Sequence, residues 1–144
     1  MKISTRGRYA LRVMIDLAEH SGEALIPLKD IVARQEISQK YLEGIMTDLS
    51  KAGVLVAQHG KGGGYRLSRA PEQITVWEVL LTTEGDMAPI SCLDQMAEPC
   101  TRAAECRTLP MWEKLYDIIR DYLDGVTLAD LMLADTSGGD NYVI

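Results

Sequence analysis

All three cysteines fall within one fifteen-residue stretch, Cys92, Cys100 and Cys106, spaced C-x7-C-x5-C, with Asp94, Glu98 and Glu105 among them. Sulfur donors gathered in one acidic segment admit three readings: a metal or iron–sulfur site, a thiol sensor, or thiols with no chemical role. The paired C-x2-C spacing of structural zinc is missing, and the histidines, His20 and His59, belong to the other half of the chain. Intervals of seven and five are open enough for three thiolates of one loop to converge on an iron–sulfur cluster. Such a cluster still needs a fourth ligand or an open iron position. Asp94, Glu98, Glu105, a residue of a partner subunit or a small exogenous thiol can each supply it. No nucleophile–base–orienter arrangement can be assembled around two isolated histidines, so no enzyme is expected.

Two further motifs carry binding chemistry. Gly60, Lys61, Gly62, Gly63 and Gly64 form a glycine run with one cation. No Gly-Lys-Ser/Thr follows and no helix opens after it, which argues against a nucleotide loop. A hairpin tip of small residues with Lys61 instead suits close approach to a DNA backbone or minor groove. The second motif is a helical segment opening at Ser38, whose first turns carry Gln39, Lys40 and Glu43. Gln39 suits adenine, Lys40 phosphate or guanine, and Glu43 a cytosine amino group. Arg6, Arg8 and Arg12 read as clamps on the DNA backbone or as internal salt-bridge partners.

The elements that must position these residues follow from periodicity. Ser4 and Thr5 cap a first helix running to about Glu19, and a second spans about Leu28 to Arg34. After a turn through Gln35, Glu36 and Ile37, Ser38 caps a third helix that ends near Ala52 with Gly53 as its stop. On that helix Tyr41, Leu42, Ile45, Met46 and Leu49 are expected to face inward. Val54–Val56 and Tyr65–Leu67 read as two short strands around the glycine-dense tip. Three helices followed by a hairpin describe a winged helix–turn–helix. Thr75 with Glu78 and Thr127 with Asp130 predict capping boxes for two later helices. Pro110 opens a long helix to about Leu123. Its apolar residues Trp112, Leu115, Ile118, Ile119 and Tyr122 are too many for a solvent face: either they pack on their own domain or they pair with the same helix of a second subunit, and dimerisation is the favoured reading.

The fold class expected is therefore mainly α with a small β-hairpin wing, a winged helix–turn–helix domain plus a long C-terminal dimerisation helix. The division is residues 1–83 for the DNA-binding domain, 84–109 for the cysteine loop, 110–134 for the long and terminal helices, and 135–144 for a flexible tail. Charge divides the same way. Residues 1–70 carry 11 Lys and Arg against 7 Asp and Glu, a net of +4, whereas residues 71–144 carry 4 against 14, a net of −10. A cationic front half on an acidic chain suits contact with a polyanion, although a merely solubilising charge accounts for the total equally well. No run approaches 18 uncharged apolar residues, so no membrane span is expected, and without an export signal a reducing cytoplasm is the expected setting for the thiols.

These residues resemble the Rrf2 family of bacterial transcription regulators. The likeness is carried by Met1–Arg12, by Ile37–Glu43, by Gly60–Leu67, by Thr82–Gly85, and by the three cysteines with Leu109–Leu115. It implies a homodimeric winged-helix protein that binds a pseudo-palindromic operator in double-stranded DNA, with the long C-terminal helix at the dimer interface. DNA contacts are implied for Arg6, Arg8, Ser38, Gln39, Lys40, Tyr41, Glu43, His59, Gly60, Lys61, Gly62 and Gly63. The three-cysteine subset of the family implies that Cys92, Cys100 and Cys106 hold an iron–sulfur cluster, [2Fe–2S] ahead of [4Fe–4S], that adjusts DNA affinity. The family's histidine ligand is replaced here by Leu109, its acidic ligand near the N-terminus by Arg8, and its wing arginine by His59. The expected function is a dimeric regulator that reports iron–sulfur supply, redox state or nitric oxide. The first alternative is a cluster-free thiol- or ligand-responsive repressor, for example of cysteine metabolism, working with a sulfur-metabolism protein as partner. The second, of another class, is a cytosolic iron–sulfur carrier.

Overall fold

The computed structural model describes residues 2–20 and 22–132. The expected tail, 135–144, lies outside the described residues. Helix α1 spans Thr5–His20, α2 Leu28–Gln35 and α3 Gln39–Lys51. Strands β1 (Leu55–Gln58) and β2 (Gly64–Leu67) pair antiparallel, and α4 (Val76–Glu84), α5 (Leu109–Asp124) and α6 (Leu128–Met132) follow. This is a mainly helical fold with a hairpin wing and two C-terminal helices.

Each boundary has a local cause. Ser4 Oγ accepts the Gly7 N–H at 3.1 Å and starts α1. α2 ends where Glu36 takes a left-handed conformation, φ 54°, and its N–H donates to the Val32 carbonyl at 2.9 Å. Ser38 Oγ then accepts the Tyr41 N–H at 3.3 Å to open α3. Both expected capping boxes form: Thr75 exchanges hydrogen bonds with Glu78, and Thr127 with Asp130.

The main core is closed by the apolar faces of the first three helices. Val13, Met14 and Leu17 of α1 meet Ile31 of α2 and Leu42, Ile45, Met46 and Leu49 of α3, all fully buried. Methionine and branched aliphatics fill the space that phenylalanine fills elsewhere; the tyrosines stay at the margin. The link before α2 is more than a connection. Ile26 pairs with Tyr65 through two backbone hydrogen bonds of 2.8 and 2.9 Å, so it adds a third, one-residue strand to the wing. Residues Thr75 and Thr127 form a second isolated bridge, which delivers Leu128 of α6, fully buried, into the main core.

A polar clasp locks α2 on α1. The Asp16 carboxylate, 1% exposed, accepts Arg34 Nε at 2.9 Å, Arg34 Nη2 at 2.7 Å and Gln35 Nε2 at 2.8 Å. A planar guanidinium gripping both carboxylate oxygens fixes angle as well as distance.

Helix α5 lies on a second, smaller core. Tyr116, Ile119 and Leu123, spaced three and four apart, pack on Trp77 and Leu80 of α4, with Tyr116 edge-on to Trp77 at 6.3 Å between ring centroids. The neighbouring edge of the same helix, Met111, Leu115, Ile118 and Tyr122, is solvent-exposed at 54, 37, 52 and 69%. Among the described residues no helix is long and apolar enough to cross a membrane.

Candidate nucleic-acid interface and cysteine loop

The exposed end of α3 is built by what its other side buries. With Leu42, Ile45, Met46 and Leu49 committed to the core, Ser38, Gln39, Lys40, Tyr41, Glu43 and Thr47 are exposed. Tyr41 departs from its expected inward orientation. It sits at the margin of the apolar face, 37% exposed, and packs edge-on against Tyr9 of α1 with ring centroids 5.8 Å apart. Arg6, Ser38, Lys40, Tyr41 and Gly44 line a hollow of about 400 Å³ at the N-terminal end of α3, where backbone N–H groups favour an anion.

The cations divide into two kinds. Arg6 is spent internally: its Nη2 donates to the Gly44 carbonyl at 3.0 Å and to the Asp48 carboxylate, pinning the first turn of α1 to the middle of α3. Arg12 likewise hydrogen-bonds the side chain and carbonyl of Gln35 and stacks over Tyr9. Lys40 and Lys61 are exposed and have no ion-pair partner among the described residues, and exposed Arg8 hydrogen-bonds Thr5 Oγ1 at 3.1 Å. Gln39 Nε2 donates to Glu43 Oε1 at 3.2 Å, so these two polar side chains form one unit on the outer face of α3. Burial, and secondarily the charge of Glu43, raises the pKa of Tyr65 on the wing.

At the wing tip Gly60 and Gly62 have φ of 91° and 76°, a region that residues with a Cβ avoid, and Gly63 N–H closes the turn on the Gly60 carbonyl at 3.0 Å. His59, Gly60, Lys61 and Gly62 are exposed there, and Gly63 is half-buried. The glycines make the tip thin and turn Lys61 outward on a bare backbone.

The cysteine loop is anchored by carboxylates at its start and by a threonine at its end. The Asp86 carboxylate accepts the N–H groups of Ala88 at 2.6 Å and Gln95 at 2.9 Å; the Gln95 bond first, then that of Ala88, holds its pKa below the usual carboxylate range. Cys92 lies inside the span so tied, in a single 3-10 turn, Ser91–Leu93. Cys106 Sγ lies 3.4 Å from Thr108 Oγ1, and that contact, with the N–H groups of Thr108 and Leu109 at the start of α5, lowers its pKa. Thr108 was not among the expected site residues. It occupies the capping position before Pro110, where its carbonyl accepts the Trp112 N–H at 3.1 Å but its side chain makes no capping hydrogen bond, the hydroxyl lying against the thiol instead.

All three thiols are free of disulfides; Cys92 and Cys100 are exposed and Cys106 is half-buried. As sulfur donors they suit iron, and in this structure they stand apart from one another. Among the described residues no three His, Cys, Asp or Glu side chains come together closely enough to hold a metal ion.

On the long helix, Leu115, Ile118 and Tyr122 are on the exposed edge, Trp112 is half-buried, and Ile119 faces α4.

Comparison with known proteins covers almost all of the chain. Residues 3–134 match the family model described as Rrf2, iron-dependent transcriptional regulator. The chain is 40% identical over 132 residues to the protein rrf2 of Nitratidesulfovibrio vulgaris, covering 92% of this chain and 87% of that one. It is 38% identical over 133 residues to the HTH-type transcriptional regulator IscR of Aliivibrio salmonicida, covering 92% and 78%. Its fold is similar to that of CymR, the global cysteine regulator of B. subtilis, with a TM-score of 0.73 at 35% identity, covering 94% and 99%. A winged helix–turn–helix whose whole length, from α1 through the cysteine loop to α6, aligns with these regulators is a transcription regulator and not an enzyme: the chain belongs to the Rrf2 family.

Proposed function

We propose that the protein is a homodimeric regulator that binds a pseudo-palindromic operator in double-stranded DNA, with its affinity set by an iron–sulfur cluster on Cys92, Cys100 and Cys106. The observation that carries the DNA part is the division of the cations. Arg6 and Arg12 are consumed in holding α1 to its neighbours, while Lys40 on α3 and Lys61 on the wing are exposed, with no ion-pair partner among the described residues. Two cations of that kind, with exposed Arg8 on α1, suit phosphates flanking a groove, and the Gln39–Glu43 unit suits base edges within it. The exposed edge of α5 supports pairing of two copies. A contiguous apolar stripe of this kind marks an association surface, and two winged domains read twice the DNA of one.

Support for the cluster is chemical. Three free thiols share one loop, and the matching family model is described as iron-dependent. A bound cluster would supply the chemistry of iron oxidation and cluster loss. The chain's own part is to provide the thiolates and to hold the loop ends at Asp86 and Thr108. The separation of the thiols favours a second reading, a cluster-free thiol-responsive repressor with a sulfur-metabolism protein as partner. In either case the protein acts in the cytoplasm, on DNA.

The deciding experiment is anaerobic purification, reconstitution with iron and sulfide, and fluorescence anisotropy with DNA from the protein's own upstream region over a series of salt concentrations. A DNA-reading dimer loses affinity linearly with the logarithm of salt. Absence of any salt-dependent binding refutes the regulator. Binding without iron, sulfide or visible absorption refutes the cluster and leaves the thiol-responsive repressor.

A further inference from the structure

Glu84 is the last residue of α4, immediately before the cysteine loop, and its carboxylate is far in sequence from everything it touches. One oxygen, Oε1, accepts both the Ser4 N–H at 3.1 Å and the Ser4 hydroxyl at 2.6 Å. The Ser4 hydroxyl oxygen in turn accepts the Gly7 N–H. The carboxylate therefore caps α1 through Ser4, at the end where a negative charge is stabilised by the helix dipole. The approach is close enough to dictate a residue type. A Cβ on Gly7 would lie 2.3 Å from Glu84 Oε1, so glycine at that position is what lets α4 present the carboxylate to α1.

Contacts continue from this cap in both directions. Toward the thiols, Gly85 closes α4 with its N–H on the Leu81 carbonyl, and Asp86 then ties Ala88 and Gln95 on either side of Cys92. Toward DNA, the residue two beyond Ser4 is Arg6, which grips the Gly44 carbonyl and Asp48 on α3. Polar contacts linked by two short stretches of backbone, 84–86 and 4–6, thus join the cysteine loop to the helix that carries Gln39, Lys40 and Glu43.

We propose that Glu84 is a positioning residue that transmits the state of the cysteine loop to α3 through the first turn of α1. The inference rests on the DNA-reading role of α3 given above. It deepens that role by naming the joint through which the loop acts, and its test needs neither DNA nor iron, so its failure is distinguishable from failure of that reading. When the loop shifts, the end of α4 moves with it, Ser4 follows the carboxylate, and Arg6 carries the displacement to Gly44 and Asp48.

The test is hydrogen exchange on the full chain before and after alkylation of its thiols with N-ethylmaleimide. In the unsubstituted protein alkylation changes exchange in the first turn of α1 and in α3 around Gly44–Asp48 by about threefold or more, as expected for a change in local opening. Glu84→Ala abolishes the response in α3 while leaving that of the loop, and Glu84→Gln, which keeps an oxygen acceptor for Ser4, restores it. Gly7→Ala gives the independent variant: alanine favours the helix, and its methyl displaces the end of the Glu84 side chain while meeting only the tip of Leu80, at 3.2 Å, besides. It too silences α3. An α3 response in Glu84→Ala and Gly7→Ala equal to that of the unsubstituted protein overturns the proposal. So does an alkylation response that never reaches α1, or a loss in Glu84→Ala that Glu84→Gln leaves unrestored.

Discussion

Replacing Arg34 by methionine removes two of the three donors on the buried Asp16 carboxylate and keeps most of the side-chain stem. Breaking a fully buried ion pair costs about 3–5 kcal/mol, because the remaining charge is left unpaired. Two features reduce that here. Arg34 is itself 34% exposed, so water can reach the gap, and Gln35 Nε2 remains at 2.8 Å. A loss of about 2 kcal/mol near neutral pH follows, or about 4–8 °C in melting temperature for a chain of this length. The pH dependence has a definite sign. Burial pushes the Asp16 pKa up, but hydrogen bonds from Arg34 and Gln35, with the charges of Arg34 and His20, outweigh it and the net direction is down. A depressed carboxylate contributes stability that is fully present above the ordinary aspartate range and is lost as pH falls through its depressed value. The gap between parent and variant is therefore widest near neutrality and closes as Asp16 is protonated. Urea unfolding followed by circular dichroism at about pH 7, about pH 5 and about pH 3 measures it against the ordinary aspartate value. A gap that does not change with pH, or one below about 0.5 kcal/mol as for an exposed pair, would refute the reasoning.

Lys40→Ala and Lys61→Ala should each weaken binding to every DNA sequence alike and reduce the salt slope by about one, measured by anisotropy titrations at several salt concentrations. Ile118→Glu places a carboxylate on the exposed edge of α5. Lost apolar burial and the carboxylate's desolvation together should weaken self-association by about 3 kcal/mol, on the order of a hundredfold in dissociation constant, read by sedimentation velocity. The helical circular dichroism spectrum should be unchanged, since Ile118 belongs to neither core. Changing Cys92, Cys100 and Cys106 together to alanine should abolish iron retention after reconstitution while leaving the melting temperature within about 2 °C, because all three lie outside both cores.

Local rules carried far here, and tertiary ones marked where they stopped. Ser38, Thr75 with Glu78, and Thr127 with Asp130 were legible because a cap involves residues two or three apart. The wing was legible from its glycines, though β1 begins and ends later than its apolar run, since Val54 is spent in the core beneath it. Tyr41 was not legible. Helical spacing names a face, but whether a residue at its margin is covered depends on a neighbour such as Tyr9, thirty-two positions away. The long helix shows the same boundary. Its apolar residues form two edges, one satisfied by Trp77 and one left open, and periodicity alone merges them. Cysteine spacing gives the slack of a loop and not its closure, so the distance between the thiols could not be read. Glu84 and Ser4, eighty residues apart, left no local sign of their contact.

The bridge that delivers Leu128 into the main core has a consequence for how the protein is made. Every other fully enclosed residue of that core lies between Ala10 and Val79, so the winged head leaves the ribosome with one wall missing. At ordinary translation speeds, the forty-nine residues from Leu80 to Leu128 take about 2–10 seconds to synthesise. For that interval α1 lacks the α6 helix that packs on it, and apolar surface of the head stays open to water. The last tertiary contact of the head thus waits for the cysteine loop and α5 to be synthesised first. A product lacking them has an open core, so completion of the winged head depends on synthesis of the cysteine loop and α5.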